Sequence, residues 1–191
     1  MCGIFGVYSY VSSGAAGAAV NQTFNLASMV AVLLNGLARL EYRGYDSAGL
    51  AVGEGGRIRV VKEQGKVGDL EALCGREGMF GDDYCQGDAG GSDGGGVLAS
   101  SVPSSGIAHT RWATHGPPSR VNAHPQVSGE DHGFVVVHNG IITNYHVLKR
   151  FLGEKGVGFV SDTDTEVVAK MCGWLYGEMT RGGGRVGFEE V

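Results

Sequence analysis

Apolar residues recur at spacings of three and four from Phe24 through Leu26, Ala27, Val30, Ala31, Leu33, Leu34, Leu37 and Leu40, which predicts a helix over 23–40 with a broad apolar face. Asn21 or Thr23 is the expected cap of its first turn. Before it, Cys2 to Tyr8 is a short, β-leaning apolar run that reads as a fully buried strand, and Ser12 to Ala19 is Gly/Ala/Ser-rich loop or insert. Ala48–Val52 and Arg57–Lys62 read as two strands of a hairpin, joined by Gly53-Glu54-Gly55-Gly56, whose glycines permit the positive dihedrals of a tight turn. A strand over Gly106–Thr110 precedes a loop with Gly116, Pro117 and Pro118, and the continuous run Phe134–Asn139 predicts an inner strand that ends at Asn139-Gly140. Asn144–Glu154 and Thr163–Tyr176 carry helical periodicity, the second with Asp164 and Glu166 at its N-terminal end. Strands and helices in this mixed order favour an α+β fold, an antiparallel sheet layered with helices.

Composition changes this picture in one region. The chain has 191 residues and 35 glycines, more than twice average usage, with charged residues at 18% and hydrophobic residues at 42%. Much of the excess lies between Gly75 and Gly106, where few apolar residues offset the entropy of ordering, so 75–106 is expected to be a low-complexity, disordered insert. The glycine-rich tail 177–191 carries no clear pattern. A net charge of −5 lacks the basic excess of nucleic-acid binding. No apolar run is long enough for a membrane span, and the N-terminus lacks a basic stretch ahead of its apolar residues. Four cysteines without CxxC spacing fit a reducing compartment and argue against a metal site.

Candidate chemistry starts at Cys2. A small second residue permits removal of the initiator methionine, which exposes a thiol beside a free α-amine whose reference pKa of about 7.7–8.0 suits a general base. The run Ala108-His109-Thr110-Arg111-Trp112-Ala113-Thr114-His115-Gly116 gathers cation, aromatic, hydroxyl and imidazole groups at the end of a strand. Arg111 can grip a carboxylate or form a surface ion pair; Trp112 suits a core anchor, and His109 and His115 suit structural histidines. Asn139-Gly140 suits a hairpin turn or, beside a thiolate, a pair of N–H donors for a tetrahedral oxyanion. Asp162 and Asp164 suit helix caps or, alternatively, a carboxylate for an amine.

The blocks CGIFG at 2–6, LEYRGYDSAG at 40–49, IAHTRWATHG at 107–116, VNAHPQ at 121–126, VVVHNGIITNY at 135–145 and SDTDTE at 161–166 resemble, in order, the glutaminase domain of the glutamine-fructose-6-phosphate aminotransferase family. Other class II glutamine amidotransferases, the amidophosphoribosyltransferases among them, vary in the EYRGYDSAG and HTRWATHG blocks. The resemblance implies an N-terminal-nucleophile hydrolase fold: a four-layer αββα sandwich of two antiparallel sheets in which the nucleophile opens a central strand. It implies one domain over 2–191, C-terminally truncated, because family members continue through further strands and then two sugar-isomerase domains that use fructose 6-phosphate to make glucosamine 6-phosphate.

By resemblance Cys2 attacks the glutamine side-chain amide, with Asn139 and Gly140 as the oxyanion hole. Arg111 holds the substrate α-carboxylate and Asp164 its α-amine, while Trp112, Thr114 and His115 line the same loop. His124 lies in a loop that closes over glutamine, and the Trp112 ring resembles a gate to an ammonia channel. Arg43 and the Asp46-Ser47 pair belong to a structural, domain-contact block. No cofactor is implied, and the expected setting is cytoplasmic with a homo-oligomeric parent enzyme. Two alternatives stand beside this reading: an amidophosphoribosyltransferase-like amidotransferase, and a non-catalytic fragment. Pro117 departs from the family, which usually has an acidic residue there, and 75–106 resembles the variable insert of eukaryotic members.

Overall fold

In a computed structural model of the chain, the described residues are 2–9, 25–80, 105–114, 116–130 and 132–181. The expected caps Asn21 and Thr23, the segment 12–19, His115, residues 81–104 of the expected insert and the tail beyond 181 lie outside them.

Helix α1 (Leu26–Ala38) buries Leu26, Met29, Val30, Leu33, Leu34 and Leu37 along one stripe, the face that the spacing predicts. Its cap is Asn25, whose Oδ1 accepts the Ser28 N–H at 2.9 Å. The stripe lies on a four-stranded antiparallel sheet in the order β1-β4-β2-β3, built from β1 (Gly3–Tyr8), β2 (Ser47–Glu54), β3 (Arg57–Gln64) and β4 (Ser105–Arg111). The β2–β3 hairpin turns on Gly55 and Gly56 alone, both in the left-handed region at φ 57° and 76°, so β2 runs two residues farther toward the turn than expected, whereas β3 starts at Arg57 as expected. A second helix on the α1 side, α2 (Val67–Arg76), was absent from the sequence expectations. Its N–H groups are held by side chains, Lys66 N–H to Asp69 Oδ2 at 2.8 Å and Val67 N–H to Glu41 Oε2 at 3.1 Å. Leu70 and Leu73 then complete the core with Leu33, Leu37, Leu50 and Val52. Each such side chain contributes roughly 1.5–3 kcal/mol of burial.

Three expectations need correction. Strand β1 is not buried on both faces: Phe5 and Val7 pack on the core, whereas Ile4 and Tyr8 point outward and are exposed. Nor is it central, since among the described residues it pairs only with β4, at the edge of the sheet. The segment 75–106 is structured at both ends, with Gly75 and Arg76 in α2, Met79 fully buried in the core, and Ser105 and Gly106 opening β4.

On the opposite face of the sheet lies a second layer, the short antiparallel pair β5 (Gln126–Val127) and β6 (Val135–Val136). Helix α4 (Thr165–Thr180) covers it, packing on both short strands, and α3 (Tyr145–Glu154) packs against α4. The strand expected over 134–139 is therefore only two residues long. Past Val136 the chain leaves the ladder and crosses toward Cys2, so side-chain contacts replace ladder bonds. The layers run helix, sheet, sheet, helix, which is the α+β sandwich with two antiparallel sheets.

Candidate active site

The start of β1, the end of β4, the segment after β6 and the start of α4 converge on one cleft of about 490 Å³. Cys2 is half-buried at its edge, with Sγ accepting the Trp112 N–H at 3.1 Å and lying 3.6 Å from the Trp112 carbonyl. The thiol therefore sits against the backbone of Trp112, between the peptide unit that precedes this residue and the one that follows it, beside the β1–β4 ladder that registers Gly3 with Thr110. From the other side Asn139 donates its Nδ2 to the Cys2 carbonyl at 3.0 Å. Gly140 follows at φ 154°, where an added Cβ would lie 2.8 Å from His138 Nε2, so this position favours glycine on both counts.

Arg111 ends β4 with its side chain almost wholly buried, donating to the carbonyls of Gly116 at 3.1 Å and Pro117 at 3.3 Å. Burial lowers its pKa, while Cys2, Asp46, Asp164 and Asp162 oppose that shift. The guanidinium thus organises the loop after β4 and also lines the cleft, together with Thr114 and Arg43. The 40–49 block contributes a brace: Asp46 accepts the Ala113 N–H at 2.8 Å, and an added Cβ on Gly44 would meet the Arg111 carbonyl carbon at 2.7 Å. The Trp112 ring is 43% exposed and rests edge-on against Tyr45 at 5.4 Å.

Asp164 stands at the N-cap position of α4 but makes no capping bond; its Oδ2 accepts the Ile142 N–H at 2.7 Å. Asp162 does not cap either, and instead pairs with the Asn122 side chain, which donates to its Oδ2 at 3.3 Å. The fixed point of this turn is Glu166, a buried carboxylate that accepts Ser161 N–H, Ser161 Oγ–H and Val160 N–H at 2.7 to 3.0 Å. With the turn tied to Glu166, Asp164 faces the cleft between Thr163 and Thr165.

His124 also reaches the cleft, but not from an open lid. It is 6% exposed, joined to Pro125 by a cis bond, and its carbonyl packs directly on Gly49 of β2, where an added Cβ would overlap it. Its ring lies edge-on to His109 at 4.4 Å. Burial, reinforced by His109, Arg111, Lys62 and His138, pushes the His124 pKa down to about 2; burial, with smaller contributions from the Arg111 and His138 charges, outweighs hydrogen bonds to the Asn139 side chain and the His138 backbone in lowering His109 to about 4. Both rings are neutral at physiological pH.

Cys2, Arg111, Trp112, Thr114, His124, Asn139, Gly140 and Asp164 thus share one cleft, and His115 lies outside the described residues. Five contributors escaped the sequence reading of the site: His138, Ile141, Thr163, Thr165 and the anchor Glu166. For Glu166 a signal existed, because a Glu in the first turn after a Ser/Thr-rich approach is a known partner for orphan N–H groups. A thiol beside backbone and amide N–H donors, with a cation and a carboxylate in the same cleft, suits acyl transfer from a zwitterionic amide. Among the described residues no cluster of three or more His, Cys, Asp or Glu is disposed to hold a metal ion, and no helix is long and apolar enough to cross a membrane.

Comparison with known proteins agrees with this chemistry. Residues 84–180 match the family described as glutamine amidotransferase domain. Glutamine-fructose-6-phosphate aminotransferase (isomerizing) of Saccharomyces cerevisiae is 40% identical over 193 residues, covering 100% of this chain and 23% of that protein. The Homo sapiens protein of that name, form 2, is 41% identical over 182 residues, 92% of this chain and 23% of its own length. That of Haemophilus ducreyi is 46% identical over 144 residues, 75% of this chain and 20% of its own. The chain thus spans less than a quarter of the length of these relatives. Among solved structures, the glutamine phosphoribosylpyrophosphate amidotransferase of B. subtilis shares the fold at TM-score 0.54 and 22% identity, over 84% of this chain and 28% of that one.

Proposed function

This chain belongs to the glutamine amidotransferase domain family, and on that premise we propose that its cleft hydrolyses the side-chain amide of L-glutamine through Cys2 as part of an aminotransferase of the glutamine-fructose-6-phosphate type. The observation that carries the reading is the convergence of Cys2, Arg111, Asn139, Gly140 and Asp164 on a single cleft.

Removal of Met1 frees the Cys2 α-amine, which takes the thiol proton as Sγ attacks the amide carbon. The Trp112 N–H, 3.1 Å from Sγ, stabilises the developing thiolate. The tetrahedral oxyanion is met by the Asn139 amide, whose Nδ2 has a second hydrogen beyond the one given to the Cys2 carbonyl, and by the Gly140 N–H. Collapse breaks the C–N bond, the α-ammonium returns the proton to the leaving nitrogen, and ammonia departs from a glutamyl thioester. Water then cleaves the thioester to glutamate and restores the thiol. Arg111 takes the substrate α-carboxylate and Asp164 its α-ammonium, which distinguishes glutamine from a simple amide.

The ammonia serves amination of fructose 6-phosphate in sugar-isomerase domains like those of the full-length relatives, with residues 2–191 as the glutaminase part. The 40–46% identity to aminotransferases of that name favours this over the amidophosphoribosyltransferase-like alternative, whose 22% likeness bears on fold alone. The test combines intact mass with glutamine turnover. Loss of Met1, release of glutamate, and abolition of both turnover and free Cys2 thiol by a glutamine-analogue alkylator are expected. A folded chain that has lost Met1 and yet releases no glutamate would overturn the reading.

A further inference from the structure

Residues two apart on a strand share a face, so His109 projects from β4 on the same side as Arg111. It is fully buried, and its Nε2 lies 2.8 Å from Asn139 Oδ1. The two ends of the Asn139 amide can be told apart by chemistry. A peptide carbonyl only accepts, so the end 3.0 Å from the Cys2 carbonyl must be the NH2 group. The end facing His109 is then Oδ1, which also only accepts, and the proton in that contact must belong to His109 Nε2. Nδ1 is left bare, and it has no hydrogen-bond partner among the described residues. Asn139 itself is exposed, and these two contacts are what orient its amide.

We propose that His109 is a positioning residue for the reaction: as the Nε2–H tautomer it holds Asn139 Oδ1 away from Cys2, so that only the NH2 end meets the oxyanion. Rotated by half a turn, the same amide would present Oδ1 to a developing negative charge and oppose the step it is meant to assist. His109 is not among the residues that line the cleft, and it acts through Asn139. The His124 ring packs against the His109 ring in a T-shaped contact, the centroids 4.4 Å apart. The assignment rests on the glutaminase reading for its catalytic meaning, whereas the tautomer itself does not.

The test therefore has one arm without turnover. In long-range nitrogen–proton correlation spectra of the full chain labelled at histidine, His109 is expected as the neutral Nε2–H tautomer; the Nδ1–H tautomer overturns the proposal whatever the activity. The second arm compares His109→Leu, His109→Gln and both in an Asn139→Ala background, with folding followed by thermal melting. His109→Leu is expected to lower kcat about tenfold or more, short of the roughly 10²–10³ of a deleted oxyanion donor, with KM little changed. His109→Gln, which keeps an N–H donor, recovers part of that loss. In the Asn139→Ala background His109→Leu costs almost nothing further. Full multiplication of the two losses, or a rise in KM at constant kcat, overturns the proposal. Loss of turnover in the unmutated chain with the tautomer as expected would instead count against the glutaminase reading.

Discussion

The carboxylate of Asp164 accepts the backbone N–H of Ile142 at 2.7 Å, which fastens the start of α4 to the segment just beyond Gly140. One oxygen of the proposed ammonium-binding group thus also sets the path of the oxyanion-hole segment. Asp164→Asn keeps an acceptor for Ile142 and removes the charge. It is expected to raise the KM for glutamine about tenfold or more with a smaller change in kcat, whereas Asp164→Ala lowers both. Steady-state glutamine hydrolysis by the two variants checks this, and a lower kcat at unchanged KM in Asp164→Asn would sink the ammonium assignment.

Arg111 supports a complementary experiment. Its guanidinium is spent partly on the carbonyls of Gly116 and Pro117, so Arg111→Lys retains charge but loses the fork that holds the loop. Both Arg111→Lys and Arg111→Ala should raise the glutamine KM much more than they impair hydrolysis of an amide that lacks the α-carboxylate. Equal losses on both substrates would show that the residue serves only the loop.

Gly49→Ala probes the contact between β2 and the loop that leads into β5. The added methyl would overlap the His124 carbonyl and come within 3.1 Å of Lys62 Cγ, and the first obstacle is backbone that cannot turn aside. Overpacking of this kind costs about 1–3 kcal/mol. A lower denaturation midpoint with an unchanged denaturant slope is expected, together with weaker glutamine turnover because His124 and the cleft wall move. A variant as stable as the parent would mean that this loop shifts easily.

The buried imidazoles set an acid limit on stability. His109 titrates at about 4 and His124 at about 2 in the folded chain, against about 6.5 once unfolded. From pH 6.5 down to about 4 the unfolded chain therefore binds two protons that the folded chain refuses, so stability is complete above pH 6.5 and falls with acidification. Each histidine contributes about 1.4 kcal/mol per pH unit in that window. Groups facing the pair, Arg111, Lys62 and His138, add to the refusal. Denaturant unfolding at pH 7.5, 6 and 5 should show the decline, and His124→Asn should remove about half of it.

Much of this arrangement was legible in the residues. The spacing of Leu26, Val30, Leu33 and Leu37 marks α1 because burial on a helix repeats with its turn, and the glycines at 55 and 56 mark the hairpin because few other residues tolerate their dihedrals. Helix α2 was missed because Gly68 and Gly75 weaken its propensity, and its N-terminus depends on Glu41, a residue 26 positions earlier. The abbreviated β6 could not be read from FVVVHN, since a strand's length is set by its partner and β5 offers only Gln126 and Val127. Asp162 and Asp164 looked like helix caps because a carboxylate at that position usually is one; which acceptor wins depends on Asn122 and Ile142, brought in by tertiary structure. His109 was visible as a histidine two residues before Arg111, but its tautomer follows only from the carbonyl on the far side of Asn139.

One residue, Trp112, both donates its backbone N–H to Cys2 Sγ and lies 3.6 Å from the thiol through its carbonyl, and its indole stands half in solvent against Tyr45. Any group joined to that sulfur must disturb the Trp112 backbone and shift its ring. The chain has two tryptophans, and the other, Trp174, sits on α4 against Phe151. A change of fluorescence when Cys2 is acylated or alkylated will therefore come from Trp112, and the emission of a Trp174→Phe chain becomes a direct optical clock for the formation and decay of the thioester.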